Sequence, residues 1–202
     1  MTLSFIRKID AFDKRWSCRI NSKSFNSIID IFFKIFSHVG SFLVWLGVAG
    51  VLYIIDLYEL SFWLYATSIN GGFLTVMIKY LVRRDRPFTA KGINCKINLK
   101  DRFVISRHTS FPSGHSVYYS SCSFILFIVI GEWWLYVILI PFAFLVAYTR
   151  IYLGAHYPSD VIFGFILGLI ITLITVILFP IYLPFFWRAS NFLQDLWHFF
   201  FP

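Results

Sequence analysis

Five long apolar segments constrain the fold of this chain more than any other feature. They cover residues 40–56, 60–82, 114–131, 134–150 and 159–183. A helix needs roughly 20 residues to cross a bilayer, and each segment is near that length, although the first and fourth are short. Because a segment inside lipid must satisfy its own backbone hydrogen bonds, all five are predicted to be helices. The sequence therefore predicts an all-α, polytopic membrane helix bundle with about five transmembrane helices.

Composition agrees with lipid as the surrounding solvent. Hydrophobic residues make up 58% of the 202 residues and charged residues 14%. In a soluble domain, about 45–50% of residues are apolar and about 25% are charged. The formal net charge is +8, which in a soluble protein would suggest a nucleic-acid partner. In so apolar a chain we expect anionic lipid headgroups or a phosphorylated substrate instead, and no nucleic acid.

The segments on either side of the apolar core are amphipathic or aromatic. Residues 3–16 place apolar and basic side chains at helical spacing, which is typical of a helix lying in the membrane interface. We predict a single domain in three parts. These are interfacial amphipathic helices (1–38), a transmembrane catalytic core (39–183) and an interfacial tail (184–202).

The three cysteines, Cys18, Cys95 and Cys122, show no metal-ligand spacing. An odd number of cysteines cannot all pair, and Cys122 falls in an apolar segment. We therefore do not expect a disulfide framework.

The predicted topology brings four helix ends to one membrane face. Short turns join the first pair and the third pair of apolar segments, so the one long connection, residues 83–112, lies on that face. This connection is strongly basic, and long loops in compact domains are usually functional or disordered. Three clusters of polar residues occupy the four helix ends.

The first cluster contains Lys79 and Arg86, followed by Pro87. Seven positions are close to two helical turns, so the two cations share one face and could grip a phosphate. Taken alone, the cluster fits equally a basic patch that flanks the membrane and contacts lipid headgroups.

The second cluster is Pro112-Ser113-Gly114-His115, at the start of the third apolar segment. Ser113 suits an N-cap, Gly114 lets the backbone approach a ligand, and the free N–H groups of a helix start form an anion site. His115 could hand a proton to a leaving oxygen. The alternative is an ordinary helix start with an interfacial histidine.

The third cluster contains Arg150, Gly154, His156, Pro158 and Asp160. A carboxylate bonded to one nitrogen of an imidazole makes the other nitrogen a better nucleophile, and the spacing puts Asp160 one turn beyond His156. The alternative is that Asp160 only complements a helix dipole while His156 caps the helix. An arginine near membrane depth, such as Arg150, indicates a functional site.

Together the clusters resemble the type 2 phosphatidic acid phosphatase (PAP2) superfamily. Its signature reads K-x6-R-P, then P-S-G-H, then S-R-x5-H-x3-D, and the order and spacing match here over roughly residues 40–180. The one departure is Thr149 where serine is usual. The resemblance points to the bacterial membrane lipid phosphatases, in the branch similar to undecaprenyl-diphosphate phosphatases.

The resemblance implies a mechanism without metal or cofactor on a phosphorylated lipid. His156 would attack phosphorus to form a phosphohistidine, Asp160 would orient it, and His115 would protonate the leaving group. The residues expected to hold the phosphate oxygens are Lys79, Arg86, Ser113, Gly114 and Arg150.

Two other functions stay open at this point, as does the orientation in the membrane. The same site could serve a lipid phosphotransferase, or the basic face could belong to a non-enzymatic protein that binds anionic lipid. All Lys and Arg residues except Arg188 lie near the site face, which the positive-inside rule would put in the cytoplasm. The resemblance implies instead a cell (inner) membrane protein with an extracytoplasmic site, and we follow it. The lipid and the oligomeric state are not set by the sequence.

Overall fold

The computed structural model describes residues 2–23, 25–90, 93, 95, 97 and 109–200. Within these ranges the chain forms helices and turns without strands, which confirms the all-α prediction. The helices are α1 (Thr2–Asn21), α2 (Ser27–Ser37), α3 (Phe42–Ile54), α4 (Tyr58–Val82), α5 (Gly114–Ile130), α6 (Trp134–Tyr152) and α7 (Pro158–Phe200), with a 3₁₀ turn at His38–Gly40. Most of the long basic connection between α4 and α5 lies outside the described residues.

The helices that flank the predicted clusters begin or end at residues whose backbone conformation explains the boundary. Arg83 closes α4 in the left-handed conformation, with φ of 45°. Gly154 has φ of 73° just after α6, a conformation that glycine adopts without steric cost. Pro158 then starts α7, where the absence of an N–H group costs nothing. These breaks leave residues 153–157 as a tight turn between α6 and α7.

The described helices coincide with the five predicted spans, but the number of crossings stays a prediction. By length and apolarity, α6 and α7 can each cross a membrane among the residues that the structure describes. The α2 region and α3 pass the same test together, although they are bent by 64°. Helix α5 is apolar but has only 17 residues.

Helix α7 is continuous over 43 residues and contains Pro180 and Pro184. No new element begins at residue 184, so the predicted boundary between core and tail is not a helix boundary. Both prolines follow apolar residues in a long lipid-compatible helix, a setting in which proline is tolerated.

Helix α5 lies at the centre of the bundle and packs on α7 through small residues. A Cβ atom on Gly168 would lie 1.8 Å from the Ser120 hydroxyl oxygen, and one on Gly164 would lie 2.8 Å from the Ser113 carbonyl oxygen. Small residues let helix backbones approach closely in membrane proteins. This contact brings the start of α5 against the first turns of α7. The apolar core beside it contains Trp45, Ala49, Leu64, Tyr119, Cys122, Ile125 and Val146.

A disulfide joins Cys18 to Cys95, so the expectation that the cysteines do not pair is wrong. Counting an odd number of cysteines only shows that one must be left over, and that one is Cys122, which is buried and free. The two bonded residues have Cα atoms 5.9 Å apart, within the usual range for a disulfide. The bond ties α1 to the connection that follows α4.

Helix α1 is anchored through a polar stripe rather than an apolar one. Asp13, Ser17 and Asn21 follow one another at helical spacing and are all buried. Asn21 donates a hydrogen bond from Nδ2 to the Tyr152 carbonyl oxygen at 2.8 Å. The aromatic side chain of Phe12 is 46% exposed, so the apolar face of α1 points away from the other helices. The predicted placement of this helix in the membrane interface stays a prediction.

Candidate active site

His156 lies in the turn between α6 and α7 and is 2% exposed. Its Nδ1 atom lies 2.7 Å from the carbonyl oxygen of Ser110. A carbonyl oxygen only accepts hydrogen bonds, so Nδ1 carries the proton of the neutral ring. The lone pair is therefore on Nε2, the unprotonated atom that can act as the nucleophile.

Positively charged side chains surround the unprotonated nitrogen of His156, Nε2. Arg86 places Nη1 3.4 Å from Nε2 and donates from the same atom to the Ala155 carbonyl oxygen at 2.8 Å. Burial, followed by the charges of Arg86, Arg150 and Lys79, holds the pKa of His156 well below its ordinary value of 6.5. The imidazole is consequently neutral, the form that a nucleophile needs, at neutral pH.

The other two predicted cations approach from separate helices. Lys79, in the last turn of α4, donates from Nζ to the Thr109 carbonyl oxygen at 3.0 Å. Arg150, in the last turn of α6, is 2% exposed and donates from Nη1 to the hydroxyl of Ser37. Both act electrostatically on His156. The structure thus brings the three predicted cations to one place, where an oxyanion would neutralise them.

Ser113 is the N-cap of α5, but its side chain does not cap the helix. The hydroxyl accepts a hydrogen bond from Ser116 at 3.0 Å, and its backbone N–H donates to the Asp160 carbonyl oxygen at 3.0 Å. A Cβ atom on Gly114 would make only ordinary contacts, at 3.7 Å from Thr75 and Tyr118. The first N–H groups of α5 are therefore not covered by a capping side chain.

His115 follows at the start of α5 and interacts electrostatically with both Arg150 and His156. Its backbone is contacted by the 3₁₀ turn, because a Cβ atom on Gly40 would lie 2.6 Å from the His115 carbonyl oxygen. Only glycine fits this approach, and sequence reasoning did not select Gly40.

Asp160 does not bond directly to His156, contrary to the arrangement expected from the sequence. Its Oδ2 atom lies 3.8 Å from Nδ1. The carboxylate instead folds back over the first turn of α7 and accepts the N–H of Tyr157 at 2.9 Å, as capping acids do. The same oxygen accepts the hydroxyl of Ser110 at 2.5 Å. Ser110 therefore stands between the acid and the imidazole.

Three further residues of this region were missed at the sequence level. Ser110 lies in the long connection, Arg84 bonds Asp160, and Asp13 bonds Arg84 from α1. The polar stripe at positions 13, 17 and 21 was a usable signal for Asp13, since those residues interrupt an otherwise amphipathic pattern. Ser110 is joined to His156 and Asp160 across 46 and 50 positions of sequence, and its position in the long connection left no such signal.

Among the residues that the structure describes, no group of three or more His, Cys, Asp and Glu side chains could hold a metal ion. The metal-free site stays a prediction.

The chain is similar to several known proteins. It is 30% identical over 141 residues to "Undecaprenyl-diphosphatase" from Sulfolobus acidocaldarius, an alignment that covers 69% of this chain and 66% of that protein. It is 38% identical over 58 residues to "Lipid A 4'-phosphatase" from Bacteroides thetaiotaomicron, covering 29% of this chain and 26% of that protein. The chain thus spans less than two thirds of either relative.

The fold is similar to a solved structure, that of Aquifex aeolicus LpxE. The TM-score is 0.68 at 28% identity, and the superposition covers 81% of this chain and 94% of the other. The profile of the PAP2 superfamily matches residues 60–182, which contain all three clusters. By the extent of this match, the chain belongs to the PAP2 superfamily.

Proposed function

We propose that this chain is a membrane phosphatase that hydrolyses a phosphomonoester or diphosphate on a lipid and releases inorganic phosphate. The observation that carries the proposal is the pairing of His156 Nε2 with Arg86 Nη1, 3.4 Å apart, while Nδ1 is held by a carbonyl. A lone pair beside a guanidinium suits attack on phosphorus whose oxygens the guanidinium neutralises. The names of the two relatives, an undecaprenyl-diphosphatase and a lipid A 4'-phosphatase, support a lipid substrate.

In the first step, Nε2 of His156 attacks phosphorus, and the bond from phosphorus to the lipid oxygen breaks. The phosphate oxygens are bound by Lys79, Arg86 and Arg150, with the Ser113 hydroxyl and the Gly114 N–H at the start of α5. His115, protonated in the enzyme–substrate complex, donates that proton to the leaving oxygen and is left neutral. The product is a phosphohistidine at position 156 and a free lipid alcohol or lipid monophosphate.

In the second step, water attacks the phosphohistidine while neutral His115 takes a proton from it. The P–N bond breaks, its electron pair returns to Nε2, and inorganic phosphate leaves. Asp160, 3.8 Å from Nδ1, stabilises the positive ring that exists while phosphorus is attached. The cations of the chain supply the charge stabilisation that this cycle needs.

Phosphate release from purified enzyme in detergent tests the proposal, with a panel of lipid phosphates and His156→Ala as the blank. We expect wild-type release to exceed the blank by about a thousandfold or more, since the nucleophile is lost. Phosphate found on an added acceptor lipid, and not in solution, would assign the site to a phosphotransferase. Binding of anionic lipid with no turnover in wild type would favour a non-enzymatic role.

We further propose that the site faces the extracytoplasmic side of the cell membrane. The disulfide of Cys18 and Cys95 joins two segments on the site side of the bundle, and disulfides persist in oxidising compartments. In intact spheroplasts, an impermeant phosphine followed by an impermeant maleimide should label these two cysteines. Labelling that requires lysis would put the site in the cytoplasm.

A further inference from the structure

The N-terminal helix reaches the catalytic turn through a buried acid. Asp13 of α1 is 0% exposed. It accepts the backbone N–H of Ser159 at 2.9 Å, the Ser159 hydroxyl, and Arg84 Nη2 at 2.6 Å. Burying a carboxylate costs free energy unless it is bonded, and every one of these partners adjoins Asp160. Helix α1 is thus attached to the first turn of α7 itself.

Arg84 bridges two buried carboxylates. Its Nη1 atom lies 2.6 Å from Asp160 Oδ1, while Nη2 lies 2.6 Å from Asp13 Oδ2. The guanidinium also lies over the ring of Tyr157, 4.2 Å from the centroid. A planar fork stacked on an aromatic ring can hold two acids at a fixed separation, which a lysine ammonium cannot do.

The backbone of Arg84 holds the second group beside the imidazole. Its carbonyl oxygen accepts the N–H of Ser110 at 2.9 Å. The carbonyl of Ser110 accepts Nδ1 of His156, and the Ser110 hydroxyl donates to Asp160. Arg84 therefore fixes both groups that adjoin Nδ1, one through its main chain and one through its side chain.

We infer that Arg84 and Asp13 are positioning residues, which hold Asp160 and Ser110 so that His156 presents Nε2 to phosphorus. This inference rests on the proposed phosphatase function and deepens it, because it makes the N-terminal helix part of the catalytic centre. A purely structural role for α1 would lower stability and leave turnover below the melting temperature unchanged. A positioning role lowers kcat while substrate binding is retained.

Asp13→Asn and Arg84→Lys are the test variants, with kcat, KM and Tm measured on the full chain in detergent. We expect kcat to fall about 10- to 100-fold, as small displacements of reacting groups do, with KM changed less than about threefold. Asp13→Glu keeps the carboxylate and should recover part of kcat. Asp10→Asn is the matched control on the same helix, since Asp10 is exposed and pairs only with Lys14 among the described ion pairs. It should behave as wild type.

The double variant, Asp13→Asn with Asp160→Asn, gives a second test. Its kcat should be no lower than that of Asp160→Asn alone, because Asp13 is inferred to act through the Asp160 carboxylate. Additive losses, or normal kcat with lowered Tm in Asp13→Asn, would overturn the inference. Failure of this inference can be told apart from failure of the proposed function. If only the inference fails, wild type still releases phosphate and His156→Ala does not. If the proposed function fails, wild type releases no phosphate.

Discussion

Gly40 packs so closely on His115 that a Cβ atom at position 40 would lie 2.6 Å from the His115 carbonyl oxygen. The other atoms near that position are also backbone or Cβ atoms of His115. A methyl group there cannot be accommodated by rotating a side chain, so the start of α5 itself must move.

Gly40→Ala should therefore lower kcat about 10- to 100-fold, because His115 is displaced from the leaving oxygen. Gly47→Ala is the matched control, since a Cβ atom at Gly47 meets nothing within 4 Å. It should retain wild-type kcat and, as a helical glycine replaced by alanine, equal or greater stability. Kinetics of both variants on one lipid phosphate check this, and equal kcat for Gly40→Ala and wild type would refute it.

Ser110→Ala removes the hydroxyl that donates to Asp160 and keeps the carbonyl that accepts Nδ1 of His156. We expect kcat to fall about tenfold, since a hydrogen bond to a charged group is worth roughly 1.5–3 kcal/mol. The variant should still form the phosphoenzyme. Ser22→Ala serves as the control, since Ser22 is exposed and lies just after the end of α1. A Ser110→Ala enzyme as fast as wild type would show that the hydroxyl does not hold the acid.

The dependence of kcat/KM on pH follows from the lowered pKa of His156. Burial and the cations Arg86, Arg150 and Lys79 disfavour the protonated ring, so the nucleophile stays neutral as pH falls through the ordinary value of about 6.5. The acid limb of kcat/KM should therefore lie below that pH, after the ionisation of the substrate has been measured and subtracted. An acid limb at or above pH 6.5 assigned to the enzyme would contradict this reading.

Reduction of the disulfide should loosen α1 from the connection that follows α4, because Cys18 and Cys95 are 77 positions apart in the sequence. We expect the Tm of wild type to fall by about 5 °C or more on reduction, a typical effect of losing a crosslink. Cys18→Ser should start at the lower Tm and not respond to reductant. The same Tm for wild type with and without reductant would show that the bond does not hold the helix.

The sequence predicted the parts of this protein that depend on local spacing. The segments of high apolarity became helices, and Gly154 and Pro158 ended α6 and began α7 where expected. Lys79 and Arg150 reached His156 because both lie in last turns of helices that meet at one face. Arg86 was expected to share a helix face with Lys79, but α4 ends at Val82 and Arg86 reaches the site from the connection.

Contacts between segments that are distant in the sequence could not be predicted from local spacing. Asp160 was expected to bond His156 because the two are four positions apart. The carbonyl oxygen of Ser110, from the long connection, accepts the Nδ1 hydrogen bond instead. Pairing of Cys18 with Cys95 likewise depends on where α1 docks, and no spacing rule sets that. The role of Gly40 is steric and appears only when α5 is in place.

The central claim is that His156 carries phosphate during turnover, and trapping that intermediate tests it most directly. Wild-type enzyme mixed with a lipid labelled in its phosphate is quenched in alkali within one turnover, then digested and mapped by mass spectrometry. The account predicts an acid-labile, alkali-stable phosphoryl group on His156 that is absent from His156→Ala. Label on another residue, or phosphate release at wild-type rate by His156→Ala, would contradict it.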